Sequence, residues 1–350
     1  MNTKICFAYP WATFGGCERV FINRAMAFKK HLPGVQVDFF FLSDGGGLKS
    51  FSAALEKYNL KGVASVVHSL DRSYDLLSLV DCPQLFSMLS SANQRYIVEC
   101  HTGYDENRQY LSTLPSECRA VAAPSARFRE LLSKEFPTVQ APILELANFV
   151  PWDIDEYQAD KDIFLPEWTR RPILFFGRMD KLKDPISLLD AFEMIERRRK
   201  GEFMLLLCGP KSIEIDIERE IANRGLSGIS VLLPPIPFHA ASTLLDSVRR
   251  AGGVFVSPSR GESFGLSAAE AISSLLPSAL SNIDAHLDLL SDFGDLYTFP
   301  IGDENALAGR IEYVFDNHSG TQDVFRKLRS NFSAERFVRD WECLLNEALG

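Results

Sequence analysis

No run of apolar residues in this chain approaches the roughly 18 that a membrane-crossing helix needs. The apolar start from Ile5 to Ala8 is cut short by Pro10 and by Gly15-Gly16, too brief for the core of a secretory signal, so the chain is expected to be made and kept in the cytosol. Cys-x-x-Cys pairs are missing. The seven cysteines (Cys6, Cys17, Cys82, Cys100, Cys118, Cys208 and Cys343) are odd in number and scattered, which opposes a disulfide framework and a structural zinc site and suits reduced thiols. An excess of positive charge is missing as well. With 37 Lys and Arg against 46 Asp and Glu, the net charge of -9 excludes a protein built mainly to grip nucleic acid. Low-complexity tracts and short-period repeats are also absent.

What is present is enough material for two cores: 350 residues, 46% of them hydrophobic, exceed one ordinary domain. The first half alternates apolar runs (Ile5 to Ala8, Val35 to Leu42, Val63 to Val67, Tyr96 to Val98) with helical patterns such as Val20 to Leu32. Strands alternating with helices imply crossover units and a parallel sheet, a doubly wound α/β domain over 1–150. An acidic stretch punctuated by Trp and Pro, 151–171, reads as a linker. The rhythm restarts at Ile173 to Phe176 and continues through Phe203 to Cys208, Ile229 to Leu233 and Val254 to Val256, with helices near Ile213 to Arg224 and Ala240 to Arg249. A second doubly wound domain is expected over 172–332. Asp323 to Leu349 reads as helix throughout, with Phe332, Phe337, Trp341, Leu344 and Leu345 at helical spacing.

The most informative stretch is Ser257-Pro-Ser-Arg-Gly-Glu262-Ser-Phe-Gly-Leu-Ser-Ala-Ala-Glu270, which follows an apolar strand and opens an Ala-rich helix. Amides around Ser263, Phe264, Gly265 and Leu266 would lie unpaired at that helix start, a seat for a diphosphate. Glu270, about one turn later, suits the two hydroxyls of a ribose, and Glu262 on the loop suits sugar hydroxyls. The plain alternative is a capped helix carrying two surface glutamates.

These residues resemble the E-x7-E signature of the large retaining glycosyltransferase family with the GT-B fold, glycosyl transferases group 1 or family 4-like, which includes sucrose synthases, phosphatidylinositol mannosyltransferases and bacterial polysaccharide enzymes. Gly177-Arg178 with Lys183, after the strand Ile173 to Phe176, is similar to the family's Gly-Arg…Lys motif. Two cations there would neutralise the charge growing on a departing nucleoside diphosphate. Gly15-Gly16-Cys17-Glu18-Arg19 resembles the family's loop over the donor phosphate, bordering the acceptor; it lacks the full G-x-G-x-x-G of a nicotinamide-binding domain. His101, in Glu99-Cys100-His101-Thr102-Gly103 at the end of the strand Tyr96 to Val98, matches in position the family's histidine that faces the transferred sugar. Leu146-Ala147-Asn148-Phe149-Val150 resembles the Pro-Asn-Gly-Val element, with Phe149 where Gly is usual. Relatives commonly show Gly-x-Pro-Val-Val and then Gly-Gly where this chain has Leu276 to Leu280 and Asp284-Ala285-His286, and His286 is expected at the surface rather than on the sugar.

The resemblance implies two Rossmann-like domains facing an interdomain cleft, with 333–350 crossing back to the first domain. It implies a metal-independent hexosyltransferase acting with retention, with His101, Arg178, Lys183 and Glu262 as catalytic residues. The donor would be held by Gly15, Gly16, Gly177, Arg178, Lys183, Glu262, Ser263, Phe264, Gly265, Leu266 and Glu270. No cofactor is implied beyond the co-substrate, a UDP-sugar being favoured, and the acceptor would be a glycan, a lipid-linked saccharide or a small molecule. Acidic pairs Asp153/Asp155 and Asp160/Asp162 read as solvated loop residues rather than a metal site. Arg24, Lys29, Lys30 and His31 suit either peripheral contact with an anionic membrane or compensation of a helix dipole, and the second is preferred. The alternatives are an epimerase or phosphorylase of the same architecture, or a non-catalytic donor-binding partner.

Overall fold

Short apolar runs that end in Gly, Pro or Ser form strands buried on both faces, the pattern of an all-parallel sheet covered by helices. The structure, a computed structural model, describes residues 3–71, 73–89, 94–158 and 168–349. The chain packs as two compact units, Met1–Glu156 with Phe332–Gly350, and Tyr157–Asn331.

The first unit contains β1 (Thr3–Ala12), β2 (Val35–Asp44), β3 (Ala64–Val67), β4 (Leu76–Val80), β5 (Tyr96–Glu99), β6 (Cys118–Ala123) and β7 (Ile143–Glu145). They lie in the order β3-β2-β1-β4-β5-β6-β7, with parallel pairing throughout. The second unit contains β8 (Arg171–Phe176), β9 (Phe203–Cys208), β10 (Ser230–Leu233), β11 (Val254–Ser257), β12 (Ser278–Ser281) and β13 (Thr298–Phe299). Their order is β10-β9-β8-β11-β12-β13, again all parallel. Each unit is therefore a doubly wound α/β domain of the Rossmann kind. The winding reverses between β1 and β4 and between β8 and β11, the position at which open sheets of this kind generally take their ligands.

The segment expected as one helix from Asp323 to Leu349 is broken. Helices His318–Leu328 and Ala334–Leu349 are separated by a 3-10 turn, Arg329–Phe332. The carbonyl of Phe332 accepts from the amide of Val150, a tertiary bond that pulls the chain out of helical register. The last helix then buries Phe337 and Trp341 in the first unit, with ring centroids 5.5 and 5.3 Å from that of Phe28. Phe149 stacks on Phe337 at 4.8 Å, so the bulky side chain standing where Gly is usual in the resembled element has a packing role.

The start of the expected linker packs in the first unit as well. Ile154 is buried, Lys30 donates to the carbonyl of Asp153, and Lys29 pairs with Glu156 at 2.9 Å. Asp160 and Asp162 lie outside the described residues. Among the described residues no group of three His, Cys, Asp or Glu side chains is placed to hold a metal ion, and no helix is long and apolar enough to cross a membrane.

Candidate donor site

The carboxyl ends of β8 and β11 flank the switch point of the second sheet, and each launches a loop carrying motif residues. After β8 the chain passes Gly177 and Arg178 into a tight turn, where Asp180 accepts from the amide of Lys183 at 2.9 Å. Asp184 then caps the helix Pro185–Arg198, accepting from Ser187, and Pro185 at the first helical position needs no amide partner. The amide of Gly177 donates to Cys208, so the loop lies flat against the end of β9. Gly209 makes this approach possible: a Cβ there would fall 2.1 Å from the Gly177 carbonyl oxygen, and its φ of +141° suits glycine alone.

After β11 the loop folds back over the β8 loop. The amide of Arg260 donates to the carbonyl of Leu182, and the Arg260 guanidinium pairs with Asp184 at 2.8 Å. These bonds bring Lys183 Nζ onto Glu262 Oε1. Ser259 Oγ donates to the same Glu262 oxygen at 2.9 Å and lies 3.1 Å from Ser257 Oγ. Burial by itself would raise the Glu262 carboxyl, but the Lys183 ammonium and the Ser259 hydroxyl outweigh it and hold the group below its ordinary value. Glu262 is thus a held carboxylate.

Gly265, at φ +82°, turns the chain into the helix Leu266–Ser273, whose start has no side-chain cap. A helix start without a side-chain cap is the kind of end at which phosphate is bound in other folds. Glu270 lies one turn inside that helix and is almost wholly buried, in contrast to a surface glutamate. Arg178 Nε donates to Asp180 at 2.9 Å while half its side chain is exposed. The structure therefore brings together Lys183, Glu262 and the Ser263 to Leu266 turn, and leaves Arg178 on the rim of the β8 loop.

His286 is the main correction. Expected at the surface, it is fully buried. Its Nδ1 donates to the carbonyl of Ser281 at 2.9 Å, while Nε2 makes no hydrogen bond. Burial, only partly opposed by Glu262, pushes its pKa down to about 4, so the ring is neutral at physiological pH. Ser259 in the loop after β11, Ser281 at the end of β12 and His286 in the helix Asp284–Leu290 carried no sequence signal, because isolated Ser and His have no diagnostic spacing. The Asp184-Pro185 helix start could have been read.

In the first unit, Gly15 opens the helix Gly16–His31 and Glu18 reaches back to Thr13, accepting from both its amide and, at 2.6 Å, its hydroxyl. A Cβ at Gly15 would fall 2.8 Å from Glu18 Oε2, so the glycine makes room for that carboxylate; a Cβ at Gly16 would meet nothing within 4 Å. His101, just after β5, is enclosed: its Nε2 lies 3.0 Å from Glu99 Oε2, and Nδ1 lies 3.5 Å from Asn148 Nδ2. Glu99 also accepts both guanidinium nitrogens of Arg24 at 2.8 Å and the Ser78 hydroxyl at 2.5 Å. Arg24 is fully buried, so it offers no charge to a membrane; helical periodicity groups it with Lys29 and Lys30 because its partner is distant in sequence. The backbone amide of His101 is held by Asp81, whose own carboxyl burial pushes up against the opposing pull of His101 and Tyr110.

Comparison with known proteins places this geometry in context. A family model described as glycosyl transferases group 1 matches residues 157–335. A D-inositol 3-phosphate glycosyltransferase from Pseudarthrobacter chlorophenolicus is 30% identical over 161 residues, 44% of this chain and only 37% of that relative's length. Among solved structures, a variant of S. aureus TarM in complex with fondaparinux, alpha-GlcNAc-glycerol and UDP superposes with a TM-score of 0.78 at 14% identity, covering 98% of this chain and 100% of that one. Anabaena HepE in complex with UDP and glucose gives 0.77 at 15% identity over 98% and 99%. At such identities the likeness is one of fold, the GT-B arrangement of two Rossmann-like domains.

Proposed function

The chain belongs to the glycosyl transferases group 1 family, and from that premise we propose that it transfers a hexose-like sugar from a nucleoside-diphosphate sugar, with retention at the anomeric carbon. The observation that carries this reading is the Lys183 to Glu262 pair beside the uncapped start of the helix Leu266–Ser273, at the switch point of the second sheet.

In the proposed chemistry the helix-start amides and Lys183 bind the diphosphate, with Arg178 joining from the rim, and these cations and dipoles stabilise the charge that develops as the anomeric C–O bond breaks. The electron pair of that bond goes to the leaving diphosphate. The acceptor hydroxyl attacks from the same face, and its proton passes to a departing phosphate oxygen. Glu262 orients the sugar hydroxyls and Glu270 the ribose. Leaving-group charge is met by side-chain cations, so the chemistry needs no divalent metal. The first unit is assigned the acceptor, a glycan or lipid-linked saccharide, with Gly15, Gly16 and His101 at the carboxyl ends of its strands. UDP is the favoured nucleotide, since the structurally similar TarM and HepE are described with UDP.

The test is a thermal-shift screen over UDP-, GDP-, ADP- and dTDP-sugars, followed by an acceptor screen with the one that binds. A ligand that binds the folded state raises the melting temperature. No stabilisation by any of them would sink the donor-site reading. Donor binding without transfer or hydrolysis would point to a non-catalytic partner, and turnover without an acceptor to an epimerase.

A further inference from the structure

A chain of hydrogen bonds runs from the edge of the candidate donor site into the core of the second unit. Glu262 Oε1 accepts from Ser259 Oγ at 2.9 Å. The carbonyl of Ser259 accepts from Ser281 Oγ at 2.5 Å. Ser281, at the end of β12, is in turn held by His286: its carbonyl lies 2.9 Å and its hydroxyl oxygen 3.2 Å from Nδ1. The direction is fixed at one end, because a carbonyl can only accept, so the imidazole proton is on Nδ1. With its hydrogen committed to Ser259, the Ser281 hydroxyl oxygen also accepts from that nitrogen.

The same ring touches the other half of the site. A Cβ added at Gly265 would come within 3.2 Å of His286 Cδ2 and 3.6 Å of Nε2. His286 therefore lies beneath the turn that starts the helix Leu266–Ser273, while its Nδ1 anchors the strand end that holds Ser259. A leucine of similar bulk would fill that space, so packing does not require a histidine. A polar ring fully buried with one nitrogen unsatisfied costs stability, and its retention needs a reason.

We propose that His286 is a positioning residue for the Glu262 carboxylate, acting through Ser281 and Ser259, and that the ligand it serves is the sugar half of a nucleotide sugar. This rests on the donor-site reading above. The nucleotide half is bound by the helix start and Lys183 and does not depend on the chain of bonds. His286 thus governs how well the site distinguishes a nucleotide sugar from the bare nucleoside diphosphate.

Two substitutions separate this role from packing. His286→Asn leaves an amide nitrogen on Cγ, where Nδ1 is attached, and keeps the donor while losing volume. His286→Leu keeps bulk and loses the donor. Titration calorimetry of the full chain with UDP and UDP-glucose, and with GDP and GDP-mannose, reads the outcome. For the pair that the unaltered chain binds, His286→Leu is expected to weaken the nucleotide sugar about tenfold and leave the nucleoside diphosphate within about twofold, the size of effect that one lost hydrogen bond gives. His286→Asn is expected to restore most of the difference. If His286→Leu does not fold, Ser281→Ala breaks the same chain one link along and is expected to show the same selective loss. Equal affinities in the unaltered and substituted chains would overturn the proposal, as would equal weakening of both ligands by His286→Leu and His286→Asn. An unaltered chain that binds none of the four ligands, and no ADP- or dTDP-sugar either, would instead remove the donor-site reading on which the proposal stands.

Discussion

Lys183 and Glu262 form an ion pair between the loops that leave β8 and β11, the two strands on either side of the point where the second sheet reverses its winding. Neither residue is in a regular element. Each is fixed by its own loop: Lys183 by the Asp180 turn and Glu262 by Ser259. The pair is partly enclosed.

Lys183→Met is expected to lower the donor-turnover kcat/KM by about 10²–10³-fold, the usual loss when one preorganised stabiliser of a leaving group is removed. Steady-state kinetics with the donor found in the thermal-shift screen would check it. If Lys183→Ala and Glu262→Ala both left turnover unchanged, the site assignment would be wrong.

The buried His286 predicts a specific pH dependence of stability. Its folded pKa, about 4, lies below the ordinary 6.5, so the unfolded chain binds the proton that the folded chain refuses. Its contribution is fully present above about pH 6.5, declines as the pH falls toward 4, and levels off below that, by on the order of 3 kcal/mol from the size of the gap. Denaturant unfolding at a series of pH values should show this decline, and His286→Leu should flatten it within that window. A decline identical in the two proteins would assign it to other groups.

The Arg24 and Glu99 pair makes a different prediction. Burial would raise the Glu99 carboxyl, yet Arg24 and His101 overcome it and hold the group far below its ordinary range, ionised at any working pH. Arg24→Met leaves that charge buried with its main cation gone and is expected to cost about 3–5 kcal/mol, whereas Arg24→Met with Glu99→Leu should recover much of the loss. Chemical denaturation of the single and double variants measures both. A double variant no more stable than the single would mean that the pair is not coupled as the bidentate geometry requires.

Gly209→Ala is expected to destabilise the second unit by at least about 2 kcal/mol, because the new Cβ would collide with the Gly177 carbonyl and the backbone angle is one that alanine avoids. It should also weaken donor binding, since Gly177 leads directly into Arg178 and Lys183. Gly228→Ala, with nothing within 4 Å of the added carbon, is the matched control, and circular dichroism melts would distinguish the two.

Much of the fold was legible because parallel strands buried on both faces leave continuous apolar runs, as in Phe203 to Cys208 and Val254 to Val256. The strands without such a run show where that signal fails. β4, Leu76–Val80, is buried along its whole length but carries Ser78 in its middle, and β12, Ser278–Ser281, begins and ends in buried serines. Their hydroxyls are satisfied by Glu99, by the carbonyl of Leu276 and by the carbonyl of Ser259, partners that local pattern does not reveal. β13 is two residues long and has no periodicity to read.

The candidate site divides in the same way. By itself the sequence determined the alternation of strands and helices around the motifs, and so put Lys183 and Glu262 on loops after strands and Gly265 at a helix start, because these follow from local chain chemistry. Only the tertiary structure decided that Lys183 meets Glu262, that Arg178 turns to Asp180, and that Arg24 and His286 are interior rather than surface residues. Those outcomes depend on partners on other elements, Glu99 for Arg24 and Ser281 with Gly265 for His286. The cost of burying a polar group is set by what it finds on arrival, which no window of neighbouring residues contains.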